Sequence, residues 1–232
     1  MIPIWSLLDL NALLWDKTLF NQTIKHFHWR CFFFEKVLTC NVEKIKKRCS
    51  WCLGDPLYIQ YHDLEWGVPV YDDLKLFEFL TLETFQAGLS WITVLRKRTN
   101  FRSAFHLFDF EKIAQYGDPE IKALSEDKGI IRNKPKITAA INNAQRFIEI
   151  RQKHGSFSQY IWGFVNGKPI QNRFESIAEI PAKTLLSETI SKDLKQNGFQ
   201  FVGPTVVYAH MQATGMVNDH LKDCYRYEEL RN

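Results

Sequence analysis

The chain of 232 residues contains no long apolar run and few cysteines. No stretch approaches the roughly 18 consecutive apolar residues that a membrane-spanning helix requires, so no membrane partner is expected. Five cysteines in a chain of this size do not make a disulfide framework. We therefore expect a protein of the reducing cytoplasm.

The chain also lacks an excess of charge over most of its length, because the net charge of +4 is confined to its beginning. Residues 1–48 contain eight Lys and Arg against four Asp and Glu, whereas residues 49–232 contain 22 of each sign. A general basic field for nucleic acid is therefore not indicated. Any contact with nucleic acid must come from a local cluster of basic residues.

Residues 1–47 differ in pattern from the rest of the chain. They are rich in Phe, Trp and Leu but show no period of 2 or 3.6 and no clear helix cap. We expect this segment to lie outside the folded domain and to be poorly ordered, as an upstream stretch read into the protein by a wrong start assignment. An amphipathic arm that binds a partner is the alternative.

From residue 48 to about residue 228 the sequence predicts one all-α domain. Capping residues or Pro precede apolar stripes at the helical spacing, and Gly follows several of them. The predicted helices start at Asp72, Asp109, Asp118, Pro135, Thr184 and Val206. The glycines predicted at helix ends are Gly117, Gly155, Gly198 and Gly215. Strict alternation of polar and apolar residues is absent, so strands are minor at most.

Two cysteines and two histidines stand near the two ends of this domain: Cys49, His62, His220 and Cys224. Two of each is a closed ligand set for a structural zinc ion. His220 and Cys224 are four positions apart, so on a helix they would share one face. For each residue alone, a buried thiol or a hydrogen-bonded histidine is the alternative. Cys52 could replace His62 as a ligand, and the spacing leaves that choice open.

Glu83 is the main candidate for chemistry, because it falls in helical phase with Leu76 and Leu80 on an apolar stripe. A buried carboxylate is paired, protonated or catalytic, and a core Glu tied to an Arg or a backbone amide is the alternative. Several aromatic residues are near this segment in sequence, namely Trp51, Tyr61, Trp66 and Trp91. Together they describe a pocket that stacks a flat ring and reads its edge, unless the aromatics are simply core packing.

Two clusters of basic residues follow. The run 96–98 (Arg-Lys-Arg) reads most simply as a solvated helix end. The segment 128–136 joins two predicted helices, and it contains Gly129, Arg132, Lys134 and Lys136. A helix–hairpin–helix turn of this kind presents backbone N–H groups and a helix N-terminus to a phosphate. An ordinary turn between helices is the alternative.

Residues 49–224 closely resemble the DNA-3-methyladenine glycosylase I family of helix–hairpin–helix base-excision enzymes. The resemblance is carried by motifs in the same order over nearly the whole domain. These are Arg48-Cys49-x-Trp51, Asp55-Pro-Leu-Tyr-Ile59, Tyr61-His62-Asp-x-Glu65-Trp66-Gly67-Val-Pro69, Leu82-Glu83-x-x-Gln86-Ala-Gly-Leu-Ser-Trp91, Gly129-Ile-Ile-Arg132-Asn133, Phe201-Val-Gly203 and Val217-Asn-Asp219-His220.

The resemblance implies a structural zinc ion bound by Cys49, His62, His220 and Cys224, with His62 rather than Cys52 as the ligand. It implies that Glu83 and Tyr61 hydrogen-bond an extruded base while Trp51 and Trp91 stack on it. Glu83 would act in base recognition and electrostatic stabilisation rather than as a general base.

The expected partner is double-stranded DNA with alkylated bases, held by the Gly129–Lys136 segment, and the expected oligomeric state is a monomer. No Lys is placed as a pocket nucleophile, so hydrolysis without lyase activity is expected. Two rivals are a non-enzymatic binder of damaged DNA and a zinc-stabilised protein-interaction module. Two residues depart from the family pattern, since Thr84 and Phe85 replace a Gly-plus-small pair after Glu83 and could alter the pocket.

Overall fold

The computed structural model describes residues 46–231. Expectations about the segment 1–45 therefore lie outside the described residues. Within the described range the chain is mainly helical, as predicted, and its helices are α1 (Pro56–Leu64), α2 (Asp73–Gln86), α3 (Trp91–Ala104), α4 (Phe110–Ile113), α5 (Asp118–Glu126), α6 (Lys134–His154), α7 (Phe157–Gly163), α8 (Leu185–Gln196), α9 (Pro204–Ala213) and α10 (Tyr225–Glu229).

Short 3₁₀ turns and one small sheet complete the fold. The 3₁₀ turns cover Ser50–Cys52, His106–Phe108 and Ile177–Glu179. Strands β1 (Ile170–Gln171) and β2 (Val217–Asn218) pair in parallel, with Ile170 opposite Val217. None of the helices between residues 46 and 231 is long and apolar enough to cross a membrane.

Side-chain caps fix several helix starts where the sequence predicts them. Asp72 accepts a hydrogen bond from the Lys75 N–H at the start of α2, Asp109 caps α4, and Thr184 caps α8. Two boundaries differ from prediction. Gly117 rather than Asp118 is the N-cap of α5, and α9 starts at Pro204 because proline suits the first turn of a helix.

Helix α2 lies at the centre of the domain and packs against α3, α6, α7 and α9. Every residue from Leu76 to Phe85 is buried, so this helix is enclosed on all sides rather than on one stripe. Phe77 of α2 packs edge-to-face on Phe147 of α6 at a centroid distance of 5.2 Å. The enclosure of α2 is what carries Glu83 into the interior.

The run 96–98 is not the solvated helix end that the sequence suggests. It lies within α3, where the Arg98 side chain is buried and its guanidinium bonds Glu78 at 2.7 Å and Glu65 at 2.9 Å. Arg96 forms an ion pair with Asp55. A buried arginine is tolerated here because two carboxylates compensate its charge.

His220 and Cys224 do not stand on a helix, so the shared helix face that their spacing would allow is not formed. They lie in the turn between β2 and α10, and Cys224 is the N-cap of α10. The Cys224 N–H donates to the Leu221 carbonyl at 2.8 Å, which closes this turn. The turn, rather than a helical repeat, brings the two side chains together.

Gly215 lies in the tight turn between α9 and β2, where only glycine fits without strain. It has φ +70°, and a Cβ there would lie 2.5 Å from the Pro69 nitrogen and 2.7 Å from the Gly67 oxygen. We expect Gly215→Ala to destabilise the protein by about 3 kcal/mol or more, because it adds a backbone clash to the strain of a positive φ. Gly167→Ala is the matched control, since Gly167 has φ +73° and open space. Urea unfolding should show the control losing only about 1 kcal/mol, and equal losses would contradict the clash.

Candidate functional site

A cavity of about 320 Å³ opens where α1, α2, α3 and α9 meet. Its wall combines aromatic side chains with one carboxyl and two amide groups. The lining residues are Trp51, Tyr58, Tyr61, Trp66, Glu83, Gln86, Trp91, Ile177, Ile180, Ala209 and Gln212. The structure thus brings together every residue that the sequence assigns to base binding.

Glu83 is the single carboxylate in this wall, and it is only 4% exposed. Its carboxyl forms no hydrogen bond or ion pair within residues 46–231, so it is not the core Glu tied to an Arg that was the alternative. Arg98, the buried arginine of α3, bonds Glu78 and Glu65 instead. Burial alone raises the pKa of Glu83 to about 8, because the charged form loses its hydration. The carboxyl group of Glu83 is therefore mainly neutral at pH 7.

The aromatic wall is formed by side chains whose rings pack edge to face or at a tilt. The Trp51 ring meets Trp66 at a centroid distance of 5.0 Å and Tyr58 at 4.9 Å. Tyr61 lies 5.3 Å from Trp91, and burial followed by the charge of Glu83 raises the pKa of its hydroxyl. This arrangement leaves electron-rich ring faces and a neutral hydroxyl in the wall.

Several lining residues are not among those that the sequence motifs single out. Ile177 and Ile180 come from a loop nearly 100 positions after Glu83, and Ala209 and Gln212 come from α9. No local pattern marks them, because isolated apolar or amide residues occur throughout the chain. Only the packing of α9 beside α2 brings them to the cavity.

Thr84 and Phe85, the two departures from the family pattern, do not line the cavity. Thr84 donates its hydroxyl to the Leu80 carbonyl at 3.0 Å within α2. Phe85 is fully buried against Phe101, at a centroid distance of 4.8 Å. Both side chains face the core, so they leave the shape of the cavity wall to other residues.

The four predicted ligands form a buried cluster in which one donor atom of each residue lies within 4.8 Å of the others. Cys224 Sγ is 3.4 Å from His62 Nε2 and 3.5 Å from His220 Nδ1, and Cys49 Sγ is 3.7 Å from His220 Nδ1. Ligands of a tetrahedral ion with bonds of about 2.0–2.3 Å stand about 3.3–3.8 Å apart. These residues could therefore hold one metal ion.

The second nitrogen of each histidine is already engaged. His62 Nδ1 lies 2.8 Å from the Asp63 carboxylate, which Arg48 also bonds, and His220 Nε2 lies 3.0 Å from the Trp66 carbonyl. A donor N–H at these positions leaves the other nitrogen of each ring as a lone-pair donor toward the cluster. Partners of this kind orient histidine ligands in metal sites.

Cys52 stands outside the cluster. Its thiol donates to the Cys49 carbonyl at 3.1 Å, and burial raises its pKa to about 11. The alternative in which Cys52 replaces His62 is therefore not the arrangement observed. The cluster borders the cavity. Trp51 lies two positions after Cys49, and the centroid of the Trp51 ring is 5.4 Å from that of His62.

The loop between α5 and α6 presents an exposed basic face. Asn133 caps α6 by accepting from the Lys136 N–H, and the Gly129 N–H donates to Asp127 at 2.7 Å. A Cβ at Gly129 would lie 2.9 Å from Asp127 Oδ1, so a larger residue would disturb this turn. Arg132 and Lys134 are exposed at the start of α6 and form no ion pair within the described chain.

Lys136 corrects one prediction, because its side chain is buried and cannot reach a phosphate. Its ammonium group donates to the carbonyls of Phe85 at 2.9 Å and Ala87 at 2.6 Å. These are carbonyls at the C-terminal end of α2, where a cation is stabilised. Lys136 therefore fastens α6 to the end of the helix that carries Glu83.

A family model described as methyladenine glycosylase matches residues 51–227. This chain belongs to that family of enzymes. It is 49% identical over 181 residues to DNA-3-methyladenine glycosylase 1 of Escherichia coli (strain K12), a match that covers 78% of this chain and 97% of that protein. It is 48% identical over 177 residues to DNA-3-methyladenine glycosylase of Haemophilus influenzae, and this match covers 76% of this chain and 96% of that protein.

Solved structures of glycosylases named 3-methyladenine DNA glycosylase I share the fold. One crystal structure has a TM-score of 0.75 and 48% identity, and the match covers 77% of this chain and 98% of that one. The enzyme of Staphylococcus aureus has a TM-score of 0.75 and 40% identity, and the match covers 77% of this chain and 95% of that one. A variant with a tyrosine replaced by phenylalanine, solved in complex with 3-methyladenine, matches with the same score and identity over 77% and 96%.

The unpaired carboxyl of Glu83 predicts a pH-dependent penalty on the stability of this glycosylase-family protein. The folded-state pKa of about 8 exceeds the usual 4.5, so the contribution of Glu83 to stability is most favourable below pH 4.5 and falls as the pH rises to 8. We expect Glu83→Gln to match wild type near pH 4.5 and to be more stable by about 3–5 kcal/mol above pH 8. Urea unfolding across this range measures the difference, and a constant difference would show that Glu83 ionises normally.

Proposed function

We propose that this protein is a DNA repair glycosylase that flips 3-methyladenine out of alkylated DNA and excises it by hydrolysis. One observation carries the proposal: an unpaired, buried carboxyl group, Glu83, stands in an aromatic cavity of a chain that belongs to the methyladenine glycosylase family. A base can reach such a cavity only outside the duplex stack, so the nucleotide must rotate out of the DNA.

The cavity suits a cationic purine. A base methylated at N3 carries positive charge while it is attached to the sugar, and the faces of Trp51 and Trp91 attract such a charge. Glu83 and Tyr61 supply hydrogen-bonding groups for the edge of the ring. Entry of the cation favours the ionised form of Glu83, so its pKa falls when the damaged base is bound. Neutral adenine offers no such charge, which is a basis for discrimination.

The chemical step needs little help at the leaving group. Water adds to C1′ of the sugar, the bond from C1′ to N9 of the base breaks, and its electron pair neutralises the positive charge of the purine. The proton of the attacking water passes to solvent. Because the base departs as a neutral molecule, we assign Glu83 to recognition and electrostatic stabilisation of the cation rather than to proton transfer.

We infer hydrolysis without strand cleavage. A glycosylase that also cleaves the strand forms a covalent bond between an amine and C1′. None of the residues that line the cavity is a lysine. Of the three lysines in the segment 128–136, Lys136 donates its ammonium group to carbonyls of α2, whereas Lys128 and Lys134 are exposed and do not line the cavity.

We infer that α5, the loop 127–133 and α6 act as a helix–hairpin–helix element that holds the DNA backbone. The proposal rests on Gly129, on the exposed Arg132 and Lys134, and on the N-terminus of the 21-residue helix α6. Lys97 of α3 supports the loop by donating to the carbonyls of Lys128 and Gly129. The contacts would position the backbone without reading its sequence.

We infer that Cys49, His62, His220 and Cys224 bind zinc. Two thiolates and two imidazoles are the donor types that zinc prefers in closed structural sites, and their spacings match tetrahedral coordination. When bound, the ion would hold the two ends of the domain together. It has no position open to substrate, so its contribution would be structural.

A non-enzymatic binder of damaged DNA is the main rival. Such a protein could use the same loop and cluster, but it has no need for an unpaired carboxyl group in a cavity, which lowers its stability. A zinc-stabilised protein-interaction module likewise has no need of the basic loop. We further infer that residues 48–228 form the glycosylase domain with residues 1–47 outside it, and that the protein acts as a monomer in the cytoplasm.

Release of free base from methylated double-stranded DNA tests the function. Wild type should release 3-methyladenine, and Glu83→Gln, folded and metal-loaded, should lose most of this activity because it cannot carry negative charge beside the cation. The DNA strand should remain uncut until alkali is added. Chromatography of released bases measures the rate. Wild-type rates in the variant would remove Glu83 from the site, and no release by wild type would favour the binder.

Metal content and stability test the cluster. Purified wild-type protein should contain one zinc per chain, and Cys49→Ser or Cys224→Ser should lose the metal and several kcal/mol of stability. Cys52→Ser is the matched control and should keep both, because Cys52 lies outside the cluster. Elemental mass spectrometry and thermal unfolding give the two readouts. Loss of metal in the control together with retention in His62→Ala would transfer the ligand role to Cys52.

Arg132→Ala tests the basic loop. DNA affinity should fall for every sequence, and the slope of log affinity against log salt concentration should decrease by about 1, as for loss of one phosphate contact. Lys153→Ala is the control, because Lys153 is exposed at the other end of α6, about 30 Å away. Fluorescence anisotropy at several salt concentrations measures both. Equal effects of the two variants would mean that only overall charge matters.

A further inference from the structure

Gln212 brings an oriented amide to the cavity from α9, a helix that carries none of the predicted site residues. Its side-chain Nε2 donates a hydrogen bond of 2.8 Å to Asp219 Oδ2. A carboxylate only accepts hydrogen bonds, so the nitrogen must face Asp219 and the Oε1 atom must face away from it. The hydrogen bond to Asp219 therefore fixes which end of the Gln212 amide carries the nitrogen.

Asp219 is held firmly enough to impose that direction. It is 1% exposed, and it also accepts from the Tyr208 hydroxyl at 2.6 Å and from the Asn172 amide at 2.6 Å. No cation contacts it among residues 46–231, so three neutral donors compensate the buried charge. A network with all partners satisfied is rigid.

The Oε1 atom of Gln212 is left to accept a hydrogen bond from outside the protein. Within residues 46–231 no donor reaches it, although Gln212 is half-buried in the wall of the cavity. It is also not among the fully enclosed polar atoms, so it is accessible on a side chain that lines the cavity. The wall thus offers acceptors from two helices, Glu83 on α2 and Gln212 on α9.

We propose that Gln212 is a specificity-determining residue that accepts a hydrogen bond from the exocyclic amino group of the excised purine, and that Asp219 is the positioning residue for its amide. This inference rests on the proposed function. The amino group of adenine has two N–H donors, one for Glu83 and one for Gln212. Guanine has a carbonyl oxygen at that position, so an acceptor would face an acceptor, which is repulsive.

The test is the ratio of two bases released from the same DNA. Treatment with a methylating agent gives both 3-methyladenine and 3-methylguanine, and chromatography measures both in one reaction. Gln212→Met keeps the size of the side chain but removes the acceptor. The release rate of 3-methyladenine divided by that of 3-methylguanine should therefore fall about tenfold, which corresponds to the loss of one hydrogen bond and the creation of one unpaired group. Gln196→Met, the same change on the exposed surface of α8, should leave the ratio unchanged.

Asp219→Asn tests the positioning role. Its amide can donate as well as accept, which allows the Gln212 amide to turn over and present its nitrogen to the base, so the ratio should again fall. Because His220 follows directly in the chain, the metal content of this variant must equal that of wild type. A variant that loses metal does not enter the comparison, and Gln212→Met then decides the proposal.

The outcomes separate this inference from the proposed function. No release of 3-methyladenine by wild type would overturn the function. Release by wild type, with equal losses of both bases in Gln212→Met, would overturn the inference alone, since Gln212 would then only shape the cavity. A fall confined to 3-methyladenine supports the role of Gln212 as the reader of the amino group.

Discussion

The closure of the chain by Cys49, His62, His220 and Cys224 is the constraint on which the rest of the site depends. Cys49 and Cys224 are 175 positions apart in the chain and meet in one buried cluster, so the two ends of the described domain pack against each other. The wall of the cavity is built from the same segments. Trp51 lies two positions after Cys49, and the Trp66 carbonyl is hydrogen-bonded to His220 Nε2. The cluster and the aromatic wall therefore form one unit.

The second constraint is the enclosure of helix α2, which places a carboxyl group where it has no partner. The domain contains cations close by, but Arg98 is held by Glu78 and Glu65, and Lys136 by carbonyls at the helix end. Because these charges do not pair with Glu83, its carboxyl group is largely neutral at pH 7. Its burial costs folding stability at neutral pH, and the proposed function assigns this group to the recognition of a cationic base. This opposition between stability and function is common at active sites.

In the proposed mechanism, selectivity comes from fixed acceptors as much as from charge. The aromatic faces would hold any flat cation, whereas Glu83 and the oriented amide of Gln212 would distinguish the groups on the edge of the ring. Asp219 serves this purpose because its charge is balanced by neutral donors rather than by a cation. A nearby Lys or Arg would compete for the same oxygen atoms and release the amide.

The sequence by itself determined the helical class, several helix starts and most of the residues that meet at the cavity and in the Cys and His cluster. Caps such as Asp72, Asp109 and Thr184 act over three or four positions, so local pattern is enough to find them. The phase of Glu83 with Leu76 and Leu80 predicts its burial, although the structure buries every residue from Leu76 to Phe85. The Cys and His set follows from residue types that few other sites require.

Only the tertiary structure decided which long polar side chains turn inward and which distant residues meet. Arg98 and Lys136 look like surface cations in sequence, yet each reaches buried oxygen atoms through a flexible stem whose path depends on neighbouring helices. The turn that joins His220 to Cys224 and the pairing of Gln212 with Asp219 depend likewise on how β2 lies against α9. Such contacts arise between segments whose spacing along the chain carries no periodic signal, so no local pattern can predict them.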